Sequence, residues 1–174
     1  PVEVRDGEKV ARVEPAPELS VRFTADFGHP LITDQTFSFV FSDRVFAREV
    51  ARARTFCFLR DVERMKAAGL ALGGSLENAI VVDEFSILND GGLRYPDEFA
   101  RHKVLDAMGD LALLGMPLIG AFTALRSGHA LNQALVRKLL AEPASCAVVR
   151  IEAEEELEPL QIRLPALGLA DALG

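Results

Sequence analysis

The first forty residues set the strongest constraint on the fold. "PVEVRDGEKVARVEP" is two short alternating runs around Asp6-Gly7, and a tight glycine turn between such runs brings them together as an antiparallel hairpin. Two further alternating runs, "LSVRFTADF" and "TFSFVFS", follow. Successive side chains of a strand point to opposite faces, so the pattern predicts a sheet with one apolar face in need of a cover. Helix signals supply that cover. Ser42 caps a short helix to about Arg52, a long helix runs from about Asp97 to Leu114 and is ended by Gly115 and Pro117, and another spans about Ala130 to Leu140. Between the first two, residues 56–82 read as a strand, a helix ending at Gly69, a Gly73-Gly74 turn and the apolar strand "AIVVDE". This is a small βαβ element, whose crossover is expected to pack against a sheet. The runs "LIGAFTAL" and "CAVVRIE" add later strands. Strands grouped first and helices added later predict an α+β chain, a sheet with helices on one face.

At 174 residues and 49% apolar, the chain has the material for one domain with a real core, taken here as 1–174. Its net charge of −7 argues against nucleic-acid binding, which needs a basic surface. Much of the acidic excess lies in "EAEEELE" at 152–158, read as a solvated strand edge or loop. Arg44, Arg48, Arg52 and Arg54 form the one basic concentration, read as the solvent face of a helix, with phosphate contact as the other reading. Cys57 and Cys146 are far apart and form no C-x-x-C pair, which fits a reducing compartment. No run approaches the roughly 18 apolar residues of a membrane span. The opening "PVEVRDGEKV" has no signal-peptide pattern, so a cytoplasmic protein is expected.

The long helix carries the chemistry. His102, Asp106 and Asp110 follow one another at four-residue steps, so they climb one face as a slowly turning row beside Phe99, Leu105, Met108 and Ala112. A carboxylate at the edge of a buried stripe needs a cation, a donor or a metal. Histidine and aspartate one turn apart can share a metal ion, or can simply hydrogen-bond within a packed helix; spacing alone leaves both readings open. A second histidine, His129 in "RSGHALN", stands at a strand-to-helix junction, as a cap or as a proton donor to a cleft. Thr55 in "ARTFCFLRD" is either an ordinary strand residue or a hydroxyl donor.

"ARTFCFLRDVERMKAAGLALGGSLENAIVVDE", "LRYPDEFARHKVLDAMGDL" and "LIGAFTALRSGHALN" closely resemble the second half of the zinc-dependent UDP-3-O-acyl-N-acetylglucosamine deacetylases (LpxC) of lipid A biosynthesis in Gram-negative bacteria. The resemblance implies a two-layer α+β fold, a mostly antiparallel five-stranded sheet with two main helices on one face and a small βαβ insert at 56–82. It implies His102 and Asp106 as ligands to Zn2+, with Fe2+ able to occupy the same ligands. It further implies Asp110 as the carboxylate that orients His129, His129 as the general acid or oxyanion stabiliser, and Thr55 as an oxyanion donor. Lys103, Arg126 and Phe27 match positions that hold the UDP portion of the acylated UDP-sugar substrate. Phe56, Phe58, Val62, Ala71, Ser75 and Val81 match the lining of a tunnel for the acyl chain, although the same apolar residues also read as plain core.

In that family the third zinc ligand and the general-base glutamate belong to an N-terminal half that this sequence does not contain. His29 in "DFGHP" has no motif that makes it a substitute. The resemblance therefore implies weak zinc binding and little turnover for the chain by itself, with the other half as its partner. Two rival readings are a non-catalytic acyl-UDP-sugar binding module and a pure interaction domain.

Overall fold

The computed structural model describes residues 1–150. The hairpin is formed by β1 (Val2–Asp6) and β2 (Lys9–Glu14), with Asp6 opposite Lys9. Its loop is therefore Gly7-Glu8, one residue further on than Asp6-Gly7. Gly7, at φ 58, takes the first loop position, where a tight hairpin turn calls for positive φ. β3 (Ser20–Ala25) and β4 (Gln35–Val40) form a second antiparallel pair. The late strand β7 (Ala121–Leu125) enters between the two hairpins, antiparallel to β2 and parallel to β3, to give a sheet of order β1-β2-β7-β3-β4.

Register shows why one face is buried. Ala11 pairs with Ala124 and Val13 with Phe122, while Val21 and Phe23 sit opposite Phe122 and Ala124 on the other side of β7. These six residues are all buried. The two long helices cover them. α3 (Glu98–Leu111) lies over β3 and β4, α4 (His129–Ala141) lies over β1 and β2, and the helices pack on each other. Val104, Ala107, Leu111, Leu135, Val136 and Leu139 supply their buried side. The fold is thus α+β, a five-stranded, mostly antiparallel sheet with two main helices on one face.

The buried stripe of α3 runs differently from the expected one. Phe99, Ala100, Val104, Ala107 and Leu111 are buried, whereas Leu105 and Met108 are only half-buried and Ala112 is exposed. Ala112 opens a 3-10 turn closed by Gly115 at φ 76.

α1 (Asp43–Glu49) starts at Ser42, whose Oγ accepts from the Val45 N–H, and stops three residues before Arg52. Arg54 therefore lies beyond the helix rather than on its solvent face. The side chain is nearly buried, 9% exposed, against Glu98, while Arg44, Arg48 and Arg52 are exposed.

β5 (Thr55–Phe58), α2 (Leu59–Ala67) and β6 (Ala79–Val82) form a βαβ element, but its two parallel strands make a sheet of their own. With only two strands beneath it, α2 has no buried residue. Ile80 and Val82 instead pack with Ile32 and Phe99 as a second core cluster. Asn89 secures β6, accepting from the Val81 N–H and donating to the Leu76 and Ala79 carbonyls. The expected strand "CAVVRIE" does not form over Cys146–Arg150, which are exposed and, among the described residues, have no strand beside them; β-branched residues need a paired, half-buried surface to become a strand. Its last two residues, and "EAEEELE", lie outside the described residues. Among the described residues, no helix is long and apolar enough to cross a membrane.

Candidate active site

The site lies where α3 crosses the start of α4. One turn apart on α3, His102 Nε2 and Asp106 Oδ1 approach to 3.3 Å, with both side chains largely buried. Two donors each about 2.0–2.1 Å from a shared tetrahedral ion sit about 3.3 Å apart, so the pair has the spacing that zinc or a similar ion needs. Burial lowers the His102 pKa against the raising pull of Asp106, which favours the neutral imidazole that binds metals. The His102 Nδ1 is buried and makes no hydrogen bond of normal geometry, though the Ala53 carbonyl acts on the ring. The residues fit a metal, but as half of a site. Among the described residues, no group of three or more His, Cys, Asp or Glu is placed to hold an ion. Lys103, itself buried, donates to Asp106 Oδ2 at 2.7 Å.

Asp110 is the next residue of the row and belongs to a different network. Its Oδ2 takes His129 Nδ1 at 2.9 Å and the Asn132 amide at 2.9 Å, and Gln133 reaches Oδ1 at 3.4 Å. Behind them Ser127 Oγ donates to Asn132 Oδ1 at 2.6 Å. Gly128 is the N-cap of α4, so His129, Asn132 and Gln133 fall on one face of its first turns. With Nδ1 held by Asp110, His129 turns Nε2 toward the metal-type pair, 3.8 Å from Asp106 Oδ2. The ring is 60% exposed and thus open to a ligand.

The remaining candidates fall into four places. Phe27 and Phe56 meet edge to face at 5.1 Å, and Phe56 in turn stands against Phe99 and the His102 ring. Thr55, just before it, is exposed at the head of β5. Arg126 ends β7 at a positive φ of 50, an unusual backbone for a side chain of its size, and is held by ion pairs to Asp26 and Glu8 and by its N–H on the Thr24 carbonyl. Asp26 is held below the usual carboxylate range by the Gly28 N–H and then Arg126, against the opposing effect of burial. Phe58 packs on His29, facing a cleft of about 380 Å³ that Arg60, Asp83 and Phe85 also line. Val62 in α2 and Val81 in β6 are half-buried, and Ala71 and Ser75 are exposed in the loop between these two elements.

Sequence reasoning missed Asn132, Ser127, Gln133 and the Glu98 node at the head of α3. Asn132 and Gln133 were findable, since they stand three and four residues after His129 on one helix face. Glu98 was not, because an acidic residue in a first turn reads as an ordinary favourable contact with the helix dipole. Glu98 is fully buried. Burial alone would push its carboxyl up, but the Arg54 side chain, the Arg54 and Arg94 N–H groups and the Arg54 charge outweigh it and hold the carboxyl below its ordinary value of 4.5. A depressed folded value means that the contribution is complete above 4.5 and is lost as the pH falls through the folded value. The stability gap between the chain and its Glu98→Gln variant is therefore expected to narrow steadily below pH 4.5 in denaturant titrations; a gap unchanged down to pH 3 would contradict the ion pair.

Comparison with known proteins identifies the setting. The model of the LpxC family, UDP-3-O-acyl N-acetylglycosamine deacetylase, matches residues 1–141. A UDP-3-O-acyl-N-acetylglucosamine deacetylase of Anaeromyxobacter dehalogenans (strain 2CP-C) is 68% identical over 97% of this chain and 55% of its own length. The protein of the same name from Anaeromyxobacter sp. (strain Fw109-5) is 67% identical over 99% and 56%, and that of Myxococcus xanthus (strain DK1622) is 56% identical over 99% and 54%. The chain spans about half the length of the curated relatives it matches. On this likeness, and with the α+β fold observed, the chain belongs to the UDP-3-O-acyl N-acetylglycosamine deacetylase family.

Proposed function

We propose that this chain is the part of a metal-dependent UDP-3-O-acyl-N-acetylglucosamine deacetylase that supplies two metal ligands and the acid side of the site. The carrying observation is the convergence of the His102–Asp106 pair, at 3.3 Å, with the His129–Asp110 pair, at 2.9 Å, on one helix crossing. His102 and Asp106 would hold zinc or iron(II), which would supply a Lewis acid to polarise the substrate amide and activate water. Asp110 fixes the His129 ring through Nδ1, so that Nε2 serves the departing amine as proton donor or steadies the developing oxyanion. Thr55 offers its hydroxyl to the same oxyanion. Lys103 and Arg126 are the cations for the diphosphate, each sharing its present carboxylate partner, and Phe27 stands against the uracil. Residues 56–82 receive the acyl chain along Phe56, Phe58, Val62, Ala71, Ser75 and Val81; each methylene buried is worth about 0.8 kcal/mol. The third ligand and the general base come from the other half of the enzyme, the partner that this reading requires.

Metal content and amine release, measured on the complete enzyme and on the chain alone, test the reading. The complete enzyme is expected to hold one metal and release acetate, and His102→Ala and Asp106→Ala to lose both properties. The chain alone is expected to bind zinc weakly in calorimetry, because two protein ligands are fewer than the three usual in catalytic sites. Full metal content in either variant, or sub-micromolar zinc affinity of the chain alone, would overturn it.

A further inference from the structure

Among the described residues, Glu98 is a fully buried carboxylate that accepts four hydrogen bonds away from the His102–Asp106 and His129–Asp110 pairs. Its Oε1 accepts from the Arg54 N–H at 3.0 Å and from Arg54 Nε at 2.9 Å, and its Oε2 accepts from Arg54 Nη2 at 3.0 Å and from the Arg94 N–H at 2.6 Å. Arg54 Nη2 also donates to the Gly92 carbonyl, and Arg94 reaches the Arg52 and Glu77 carbonyls. One carboxylate on α3 thereby ties down the chain entering the β5–α2–β6 element, the loop before β6 and the loop that leaves it.

Two placements give this node a consequence for chemistry. Glu98 precedes His102 by four residues on α3, so it stands on the same side of the helix as the metal-type pair. The N–H it binds is that of Arg54, the residue immediately before Thr55, and the next side chain, Phe56, lies 6.0 Å from the His102 ring. β5 is therefore indexed to α3 at Arg54, the residue that leads into it. A shift of about 1 Å in a catalytic donor is enough to cost a large factor in rate.

We propose that Glu98 is a positioning residue that sets the Thr55 hydroxyl against the His102–Asp106 pair. This rests on the deacetylase reading above. Glu98→Gln keeps the side-chain shape but leaves one acceptor oxygen, so that two of the four donors face an amide nitrogen, and it removes the charge that Arg54 pairs with. In the complete enzyme, kcat per folded, metal-loaded molecule is expected to fall about 10-fold or more, with metal stoichiometry unchanged. The discriminating readout is coupling. Thr55→Ala lowers kcat by itself, and the double variant is expected to be no slower than Thr55→Ala, because Glu98 acts through that hydroxyl. A merely structural Glu98 would instead lower the folded fraction while leaving kcat per folded molecule intact. Unchanged kcat in Glu98→Gln, or losses that multiply in the double variant, would overturn the proposal. If Glu98→Gln yields no folded enzyme, Arg54→Lys keeps the backbone N–H and the charge while removing the fork, and must show the same non-additivity with Thr55→Ala. A wild-type enzyme that does not deacetylate defeats the deacetylase reading itself; an active wild type with a normal Glu98→Gln defeats the positioning role alone.

Discussion

Replacing Asp110 with Asn is expected to lower kcat of the complete enzyme by about 10²- to 10⁴-fold while metal content stays whole, the range that follows from removing a positioned acid or the carboxylate that orients it. Every contact of Asp110 is with a donor: His129 Nδ1, the Asn132 amide and the Gln133 amide. Only a carboxylate accepts from all three. If the new amide keeps its oxygen toward His129, its nitrogen faces the Gln133 nitrogen; if it flips, donor meets donor at Asn132 and the His129 tautomer is reversed. In either orientation an imidazolium at His129 loses its negative partner. The shape of the side chain is retained, so the change separates orientation and charge from packing. Turnover measured against metal content and unfolding midpoint decides it. A variant with wild-type kcat would remove Asp110 from the acid machinery and leave His129 to act unassisted.

The strands with the clearest alternation were legible because their signal is local. Val21, Phe23 and Ala25 are buried while Arg22 is exposed, the period-two pattern that the sequence displays. The seat of β7 between β2 and β3 was not legible. Glu14 pairs with Ala121 and Ser20 with the same residue, contacts across about a hundred positions that only the assembled sheet decides. The helix ends show the same limit. Arg54 follows Arg52 in a run of arginines that scans as a continuing helix, yet the chain turns after Glu49 and buries Val50, sending Arg54 inward to a carboxylate 44 residues later. In the site, spacing placed His102, Asp106 and Asp110 on one face, but only the family resemblance linked that row to His129, and neither exposed the Ser127–Asn132 relay behind it. Buried polar networks join elements far apart in sequence, and their members carry no periodic mark.

Phe99→Ala is expected to be the most destabilising of the single changes considered, at about 3–5 kcal/mol, the range for truncating a buried aromatic residue. Phe99 is fully buried on α3 and forms, with Ile32, Ile80 and Val82, a cluster separate from the main core under the five-stranded sheet. Phe56 meets its ring at 5.1 Å and 89°, so the same side chain also holds β5 against the helix. Against a total stability of about 5–15 kcal/mol for a domain, the loss is large. Its location decides its form. The main core keeps all its members, whereas the β5–α2–β6 element has a two-stranded sheet, a helix with no buried residue and, besides the polar contacts of Glu98 and Asn89, this one hydrophobic cluster to hold it. Local opening of that element is therefore expected before global unfolding. Proteolysis in α2 and amide exchange in β5 should accelerate in Phe99→Ala while β2, β3 and β7 stay protected. A single cooperative transition with uniform loss of protection would show that the element and the main sheet unfold as one body, and would place the docking energy elsewhere than in the Phe99 contact.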